Sequence, residues 1–204
     1  NATSSVSITF VPDWKRFGMS KMDDSIYKIF EKRVYDANIC TSQNCKVKFQ
    51  GDALPKATFN TYAKMYTKSD EICTFTSDRW SVCIAPSDDG FEHVSFVNGI
   101  CTTKGGSHVD HVSGILANGV IEDMAKKIKL RPQQVKNAFF VFVKATLVNP
   151  SFSSQVKSEC TLKPQDFGSK FEPPKTFIKN ILKTSVQSEL MALSKFREMK
   201  ELKK

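Results

Sequence analysis

Phe139-Phe-Val-Phe-Val143, running on through Lys-Ala-Thr-Leu-Val to Asn149-Pro150, decides how this chain folds. Five aromatic or β-branched residues without a polar break are the pattern of a strand buried on both faces. The Asn-Pro pair that ends the run neither continues a ladder nor opens a helix. A strand is therefore expected from about residue 136 to 148, with the polar residues 149–168 hanging from its end as an anchored loop. Gln155 and Lys157 lie two residues apart on that loop. An amide and an ammonium so spaced can meet one anion, and a positioned cation is what phosphoryl transfer uses on its departing charge. The same composition also suits a solvated loop with an ordinary lysine.

Upstream, residues 71–75, 80–85 and 91–97 read as strands. Ser87-Asp88-Asp89-Gly90 joins the last two as a tight turn, which predicts an antiparallel hairpin or meander. Ser107-His108-Val109-Asp110 fits a capping box, and Val109, Val112, Ile115, Leu116, Val120 and Met124 keep one helical face apolar behind it. Lys126, Lys127 and Lys129 follow at the helix end, where cations complement the dipole, and Arg131-Pro132 stops it. Residues 91–148 thus make a strand, crossover helix and strand unit. Strands with helices on one face predict an α/β domain of two layers.

The flanks carry weaker patterns. Val6, Ile8 and Phe10 alternate as a half-buried strand ending at Pro12, as if closing something upstream. Met22, Ile26, Ile29, Phe30 and Val34 predict a helix over residues 22–38 that packs by that face. A turn at Gln50-Gly51-Asp52 and an amphipathic piece around Phe59, Tyr62, Met65 and Tyr66 come next. Pro173-Pro174 opens a long C-terminal helix, expected to break near Thr184, where Thr184-x-x-Gln187 gives a second capping signal.

At 204 residues and 40% hydrophobic content the chain can bury a core without staples. Its six cysteines form no C-x-x-C pair and no zinc spacing, which fits a reduced, intracellular protein. No apolar run approaches a membrane span, and Asn-Ala-Thr-Ser-Ser at the start reads as a cut inside a larger protein. The net charge of +9 is one-sided: residues 1–120 carry 13 basic and 13 acidic side chains, residues 121–204 carry 17 and 8. Such a field attracts polyanions such as nucleic acid.

Val94-Ser-Phe-Val-Asn-Gly-Ile-Cys-Thr-Thr-Lys-Gly-Gly-Ser-His-Val-Asp-His-Val112 is similar, nearly letter for letter, to a signature of eukaryotic type IIA DNA topoisomerases. The resemblance continues in Ile8-Thr-Phe-x-Pro-Asp13 with Phe17-Gly-Met19, in Lys32-Arg-Val-Tyr-Asp36, Gln134-Val-Lys-Asn137 and Phe140-Val-Phe-Val143. Asn149-Pro150 with Phe152, Ser154-Gln155-x-Lys157 and Asp166-Phe-Gly-Ser169 extend it over almost the whole chain.

This resemblance implies a transducer domain over residues 21–172. It would stand between a GHKL-type ATPase domain, ending in residues 1–20, and helices at 173–204 that lead to the DNA cleavage core. It implies a ribosomal-protein-like fold with a left-handed strand, helix, strand crossover, against the usual right-handed rule. The parent enzyme would be a nuclear homodimer that passes one DNA duplex through another using ATP and Mg2+, bound mainly outside this chain, and it would not be membrane-bound. The family's Gln-Thr-Lys loop, which touches the γ-phosphate, falls here on Gln155, Val156 and Lys157, with Lys157 the catalytic cation. Valine in the middle position keeps the branched shape and loses the hydroxyl. The family's lysine-rich DNA-contacting loop falls on Lys126, Lys127, Lys129 and Arg131, although the connection here is shorter, and a capped helix end explains the same residues. His108 and His111 receive no catalytic role, and no metal ligands are assigned. The phosphate-binding, cleavage and metal-binding motifs of the parent have no counterpart, so the chain alone is expected to be inactive. Rival readings are a free-standing basic nucleic-acid-binding module and a scaffold without ligand.

Overall fold

A strand with no polar break needs a partner on each edge and cover on each face, and residues 139–145 obtain all four. The computed structural model describes residues 4–42 and 44–202; residues 1–3, at the head of the segment read as an internal cut, lie outside them, as do the side chains of Glu198, Glu201 and Leu202. In chain order the elements are helix α1 (Asp24–Cys40), strands β1 (Lys48–Phe49) and β2 (Asp52–Ala53), helix α2 (Phe59–Ala63) and strands β3 (Cys73–Thr76), β4 (Trp80–Pro86), β5 (Glu92–Val97), β6 (Ile100–Cys101) and β7 (Gly105–Gly106). Helices α3 (Ser107–Met124) and α4 (Pro132–Asn137), strands β8 (Phe139–Ala145) and β9 (Glu159–Cys160), and helices α5 (Lys175–Ile181) and α6 (Ser185–Leu202) complete them.

β8 is the middle of a five-stranded sheet ordered β3-β4-β8-β5-β6. β4 runs antiparallel along one edge, Trp80 opposite Ala145 and Pro86 opposite Phe139; β5 runs parallel along the other, Glu92 opposite Phe140 and Val97 opposite Ala145. The expected strand, crossover helix and strand unit is therefore present, with α3 in the connection. The hairpin expected between β4 and β5 is not. β8 inserts between them, because an open edge on the most apolar strand would leave backbone groups unpaired in the core. β4 pairs instead with β3 across the short turn before Trp80.

Alternation along β8 assigns its side chains to two cores. Phe139, Val141 and Val143 join Val112, Leu116 and Val120 of α3, with Phe177, Ile181, Val186 and Leu190 of α5 and α6. Phe140 and Phe142 face the other way, against Phe59 and Tyr62 of α2 and Ile39 at the end of α1. The sheet is thus covered on both faces, more than the two layers expected. In the smaller core the buried Asp36 accepts hydrogen bonds from Tyr62 at 2.6 Å and Lys32 at 2.8 Å, which offset its desolvation.

Three further expectations change. Residues 4–13 form no strand, and Val6 and Ile8 are 90% and 83% exposed. Helix α1 forms with Asp23 as its cap, yet none of Met22, Ile26, Ile29, Phe30 or Val34 joins a core, and only its last turns are buried. The buried strand starts at Phe139 rather than near residue 136, because Pro132 at the first position and the Gln134 side chain on the Arg131 N–H make α4 there. It ends at Ala145. Beyond it Asn98 clasps Leu147 from both sides, accepting from its N–H at 2.8 Å and donating to its carbonyl at 3.0 Å. The break near Thr184 is as expected, and the Thr184 hydroxyl accepts the Val186 N–H at 3.4 Å as a long cap; Glu71 reinforces it, accepting from the Ser185 N–H at 2.9 Å and hydroxyl at 2.6 Å.

Ser107 does not act as the cap of α3. It occupies the first helical position, after Gly106, and its hydroxyl donates to the Cys160 carbonyl at 3.3 Å. Gly106 itself pairs with Cys160 in the parallel β7–β9 ladder at a φ of 115°, and a Cβ there would overlap the Cys160 carbonyl. Gly106→Ala is accordingly expected to cost about 2–4 kcal/mol from strain and overpacking, read as a lower urea midpoint. Gly114→Ala, in the interior of α3 with open space around it, is expected to stabilise by about 0.5–1 kcal/mol in the same titration.

Candidate functional site: a cationic hairpin tip and a basic turn

Residues 149–168, a polar loop by their sequence, fold back as a short arm. Phe152 bridges Cys160, the Ser153 N–H donates to the Glu159 carbonyl at 3.1 Å, and the Thr161 N–H donates to the Ser151 carbonyl at 2.9 Å. The tip is the four-residue turn Ser154-Gln-Val-Lys157, closed by the Lys157 N–H on the Ser154 carbonyl at 3.0 Å. Its polar, short strands carry no alternating apolar signal, so nothing in the composition announced the hairpin.

Gln155, Val156 and Lys157 are all exposed at this tip, Val156 by 77%. Lys157 takes a left-handed φ of 56°, and its Nζ rests 5.7 Å from the Phe152 ring centroid. The tip therefore offers amide and ammonium donors outward. Its base is fixed at several points. The Lys104 N–H donates to the Ser158 carbonyl at 2.9 Å, β9 pairs with β7, and the Val148 N–H meets the Phe167 carbonyl at 3.2 Å. Phe167 and Phe171 pack on Trp80, whose indole N–H donates to Ser169 at 2.9 Å.

The basic residues lie elsewhere. After Met124 the Lys127 and Ile128 N–H groups both close on the Met124 carbonyl, at 2.8 and 3.1 Å. Ile128 and Leu130 turn towards the core, while Lys126, Lys127, Lys129 and Arg131 are exposed. Lysines 126, 127 and 129 share one cleft; Arg131 contributes its backbone to the cap of α4. Among the described residues none of the four makes an ion pair. The arm is rooted at the start of α3 and this turn follows its end, so the 18 residues of that helix, about 27 Å, separate the arm's root from the turn.

His108 is fully buried under the arm's root, its Nε2 3.2 Å from the Thr102 hydroxyl, which stands 2.6 Å from that of Ser95. Burial, and then the neighbouring His93, push its pKa down to about 3, so it is a neutral packing residue. His111 is half-buried beside Trp80 and Phe167, and burial lowers its pKa too. Sequence reading missed Phe152 as the rest for Lys157 and Gly106 as the clamp on the arm. A paired glycine before a helix was the one legible signal for the latter.

The comparisons with known proteins agree with one another. The profile of the family described as DNA gyrase B matches residues 46–199. DNA topoisomerase 2 of Arabidopsis thaliana is 37% identical over 210 residues, 97% of this chain and 14% of its own length. That of Acanthamoeba polyphaga mimivirus is 39% identical over 213 residues, 99% of this chain and 17% of its own. The chain thus spans only a small part of the relatives it matches. The ATPase region of Saccharomyces cerevisiae topoisomerase II superposes with a TM-score of 0.83 at 34% identity, over 90% of this chain and 49% of that one. The ATPase and transducer domains of DNA topoisomerase II from Balamuthia mandrillaris give 0.82 at 29%, over 92% and 49%. With a family match over most of its length and relatives at this identity along nearly all of it, the chain belongs to the DNA gyrase B and DNA topoisomerase 2 family.

Proposed function

We propose that this chain is the transducer segment of an ATP-dependent type II DNA topoisomerase, and that it lends Lys157 and Gln155 to a nucleotide held by an adjacent ATPase domain. The observation that carries the reading is the arm: two donors stand exposed at a tip whose base is pinned to the central sheet and to the start of α3. A γ-phosphate is the kind of anion such a tip fits, and a charge-assisted bond from the ammonium is worth about 1.5–3 kcal/mol. The chain supplies donors for the outer phosphate only; ATP and Mg2+ would be held by the neighbouring domain, which is why the segment alone is expected to be inactive.

In this reading residues 1–20 finish the ATPase domain, 21–172 are the transducer body and 173–204 lead to the cleavage core. The exposed Val6, Ile8 and Phe10 and the uncovered stripe of α1 fit a domain docked on that side. The ribosomal-protein-like architecture, the left-handed hand of the β5–α3–β8 crossover, a homodimeric parent and a nuclear setting belong to the same proposal. Lys126, Lys127, Lys129 and Arg131 are the DNA-facing group.

Two experiments on the complete enzyme test it. Lys157→Ala is expected to slow ATP turnover roughly ten- to hundredfold with an unchanged melting temperature, as loss of one charge-assisted bond in the transition state demands. Turnover at the normal rate would remove the central claim. Replacing Lys126, Lys127, Lys129 and Arg131 together with alanine is expected to weaken the stimulation of ATP turnover by DNA and to flatten its salt dependence. Unchanged stimulation would leave these residues as a capped helix end.

A further inference from the structure

The cleft shared by Lys126, Lys127 and Lys129 has a second wall. It encloses about 500 Å³ between the turn after α3 and helix α6, and α6 lines it with Ser194 and Arg197. Arg197, distant in sequence from the turn, donates from Nη1 to the Gln134 side-chain oxygen at 3.1 Å, and that same oxygen accepts the Arg131 N–H at 2.9 Å. One amide therefore fixes the guanidinium and the backbone of the turn together. The rest of the fork keeps its other N–H donors.

Four cations then share one concavity, and among the described residues no carboxylate makes an ion pair with any of them. Glu122 and Asp123, close by in sequence, do not line it. Like charges collected in a cleft repel one another and focus a positive potential, which an anion relieves. A planar fork held by a neutral oxygen is pre-organised for a phosphate, and the exposed lysines beside it suit a backbone that carries phosphates in series.

We infer that Arg197 of α6 completes, with Lys126, Lys127 and Lys129, a phosphodiester-binding cleft for duplex DNA, with Gln134 as the residue that positions the guanidinium. The inference rests on the DNA reading of the turn and adds a consequence: the bound backbone bridges the turn and α6, so DNA braces that helix against the body of the domain.

The test is fluorescence anisotropy of a labelled 20-base-pair duplex with this chain, titrated between 0.05 and 0.2 M KCl. Arg197→Ala is expected to weaken binding roughly five- to tenfold at 0.1 M salt and to lower the salt slope by about 0.9, the signature of one lost phosphate contact. Lys195→Ala, on the same helix but outside the cleft, is expected to change the slope by much less. Arg197→Lys should recover most of the slope, and Gln134→Ala should weaken binding while keeping it. Circular dichroism melting of each variant separates these effects from unfolding. Arg197→Ala binding like the unaltered chain, while Lys126→Ala/Lys127→Ala/Lys129→Ala loses affinity, overturns the cleft and leaves the DNA reading standing. If the triple variant also binds normally, or the unaltered chain binds no duplex at 0.05 M salt, both fail. Inorganic phosphate that displaces the duplex far more strongly than chloride at equal ionic strength marks a free-anion site and overturns the proposal as well.

Discussion

The double burial of β8 is the constraint on which this architecture depends. A strand that is apolar on both faces must be roofed on each side and paired on each edge, and the demand draws α3, α5 and α6 to one face and the end of α1 with α2 to the other. It also displaces the hairpin that a local turn would have closed between β4 and β5. What is attached to the two ends of β8 inherits its rigidity. The arm leaves from the C-terminal end, and the basic turn with α4 enters at the N-terminal end.

β8 and α3 therefore make two struts between the same pair of sites. The helix starts at the arm's root and ends at the turn, and the strand returns. Seven strand residues span about 23 Å and eighteen helical residues about 27 Å, so the struts match in length. They share one core through Val112, Leu116 and Val120 against Phe139, Val141 and Val143. At the arm's end the joint is tight. Gly106 leaves no room for a Cβ against Cys160, and the Ser107 hydroxyl holds the same carbonyl from the first position of α3. At the tip the contacts are weak: an exposed cation over Phe152 is worth about 0.5–1 kcal/mol, less than a charge-assisted bond to a phosphate. An anion can thus draw Lys157 from its rest, while the base of the arm cannot move without pulling on α3.

What was legible in the sequence follows the range of the interactions. β8, α1 and α3 were readable because their patterns repeat within one element. The partner of β4 was not, because it is set by a strand that comes much later in the chain. The stripe on α1 was legible as a stripe, but whether anything covers it is decided outside the helix, and none of it reaches a core. Lys157 and Gln155 could be singled out on a loop anchored by its strand, while the hairpin that presents them, built from Ser151 to Thr161 by backbone bonds, leaves no mark in composition. Lys126, Lys127, Lys129 and Arg131 formed a cluster in the sequence. Arg197, which lines the cleft of the three lysines, could be found only from the packing of α6.

The two ends of α3 are too far apart for charges set there to communicate through solvent. Unit charges about 27 Å apart interact by about 0.15 kcal/mol in water, and with a Debye length of about 8 Å at physiological salt even that is nearly abolished. Charges at the arm's root and at the basic turn would neither repel nor attract each other measurably through solvent. In the proposed reading, coupling of about 1–3 kcal/mol, the usual scale for linked sites, would pass through the struts instead, as a displacement of α3 relative to β8. The close fit of Gly106 on Cys160 at one end, and the Gln134 oxygen holding turn and helix together at the other, are where that displacement would be felt first.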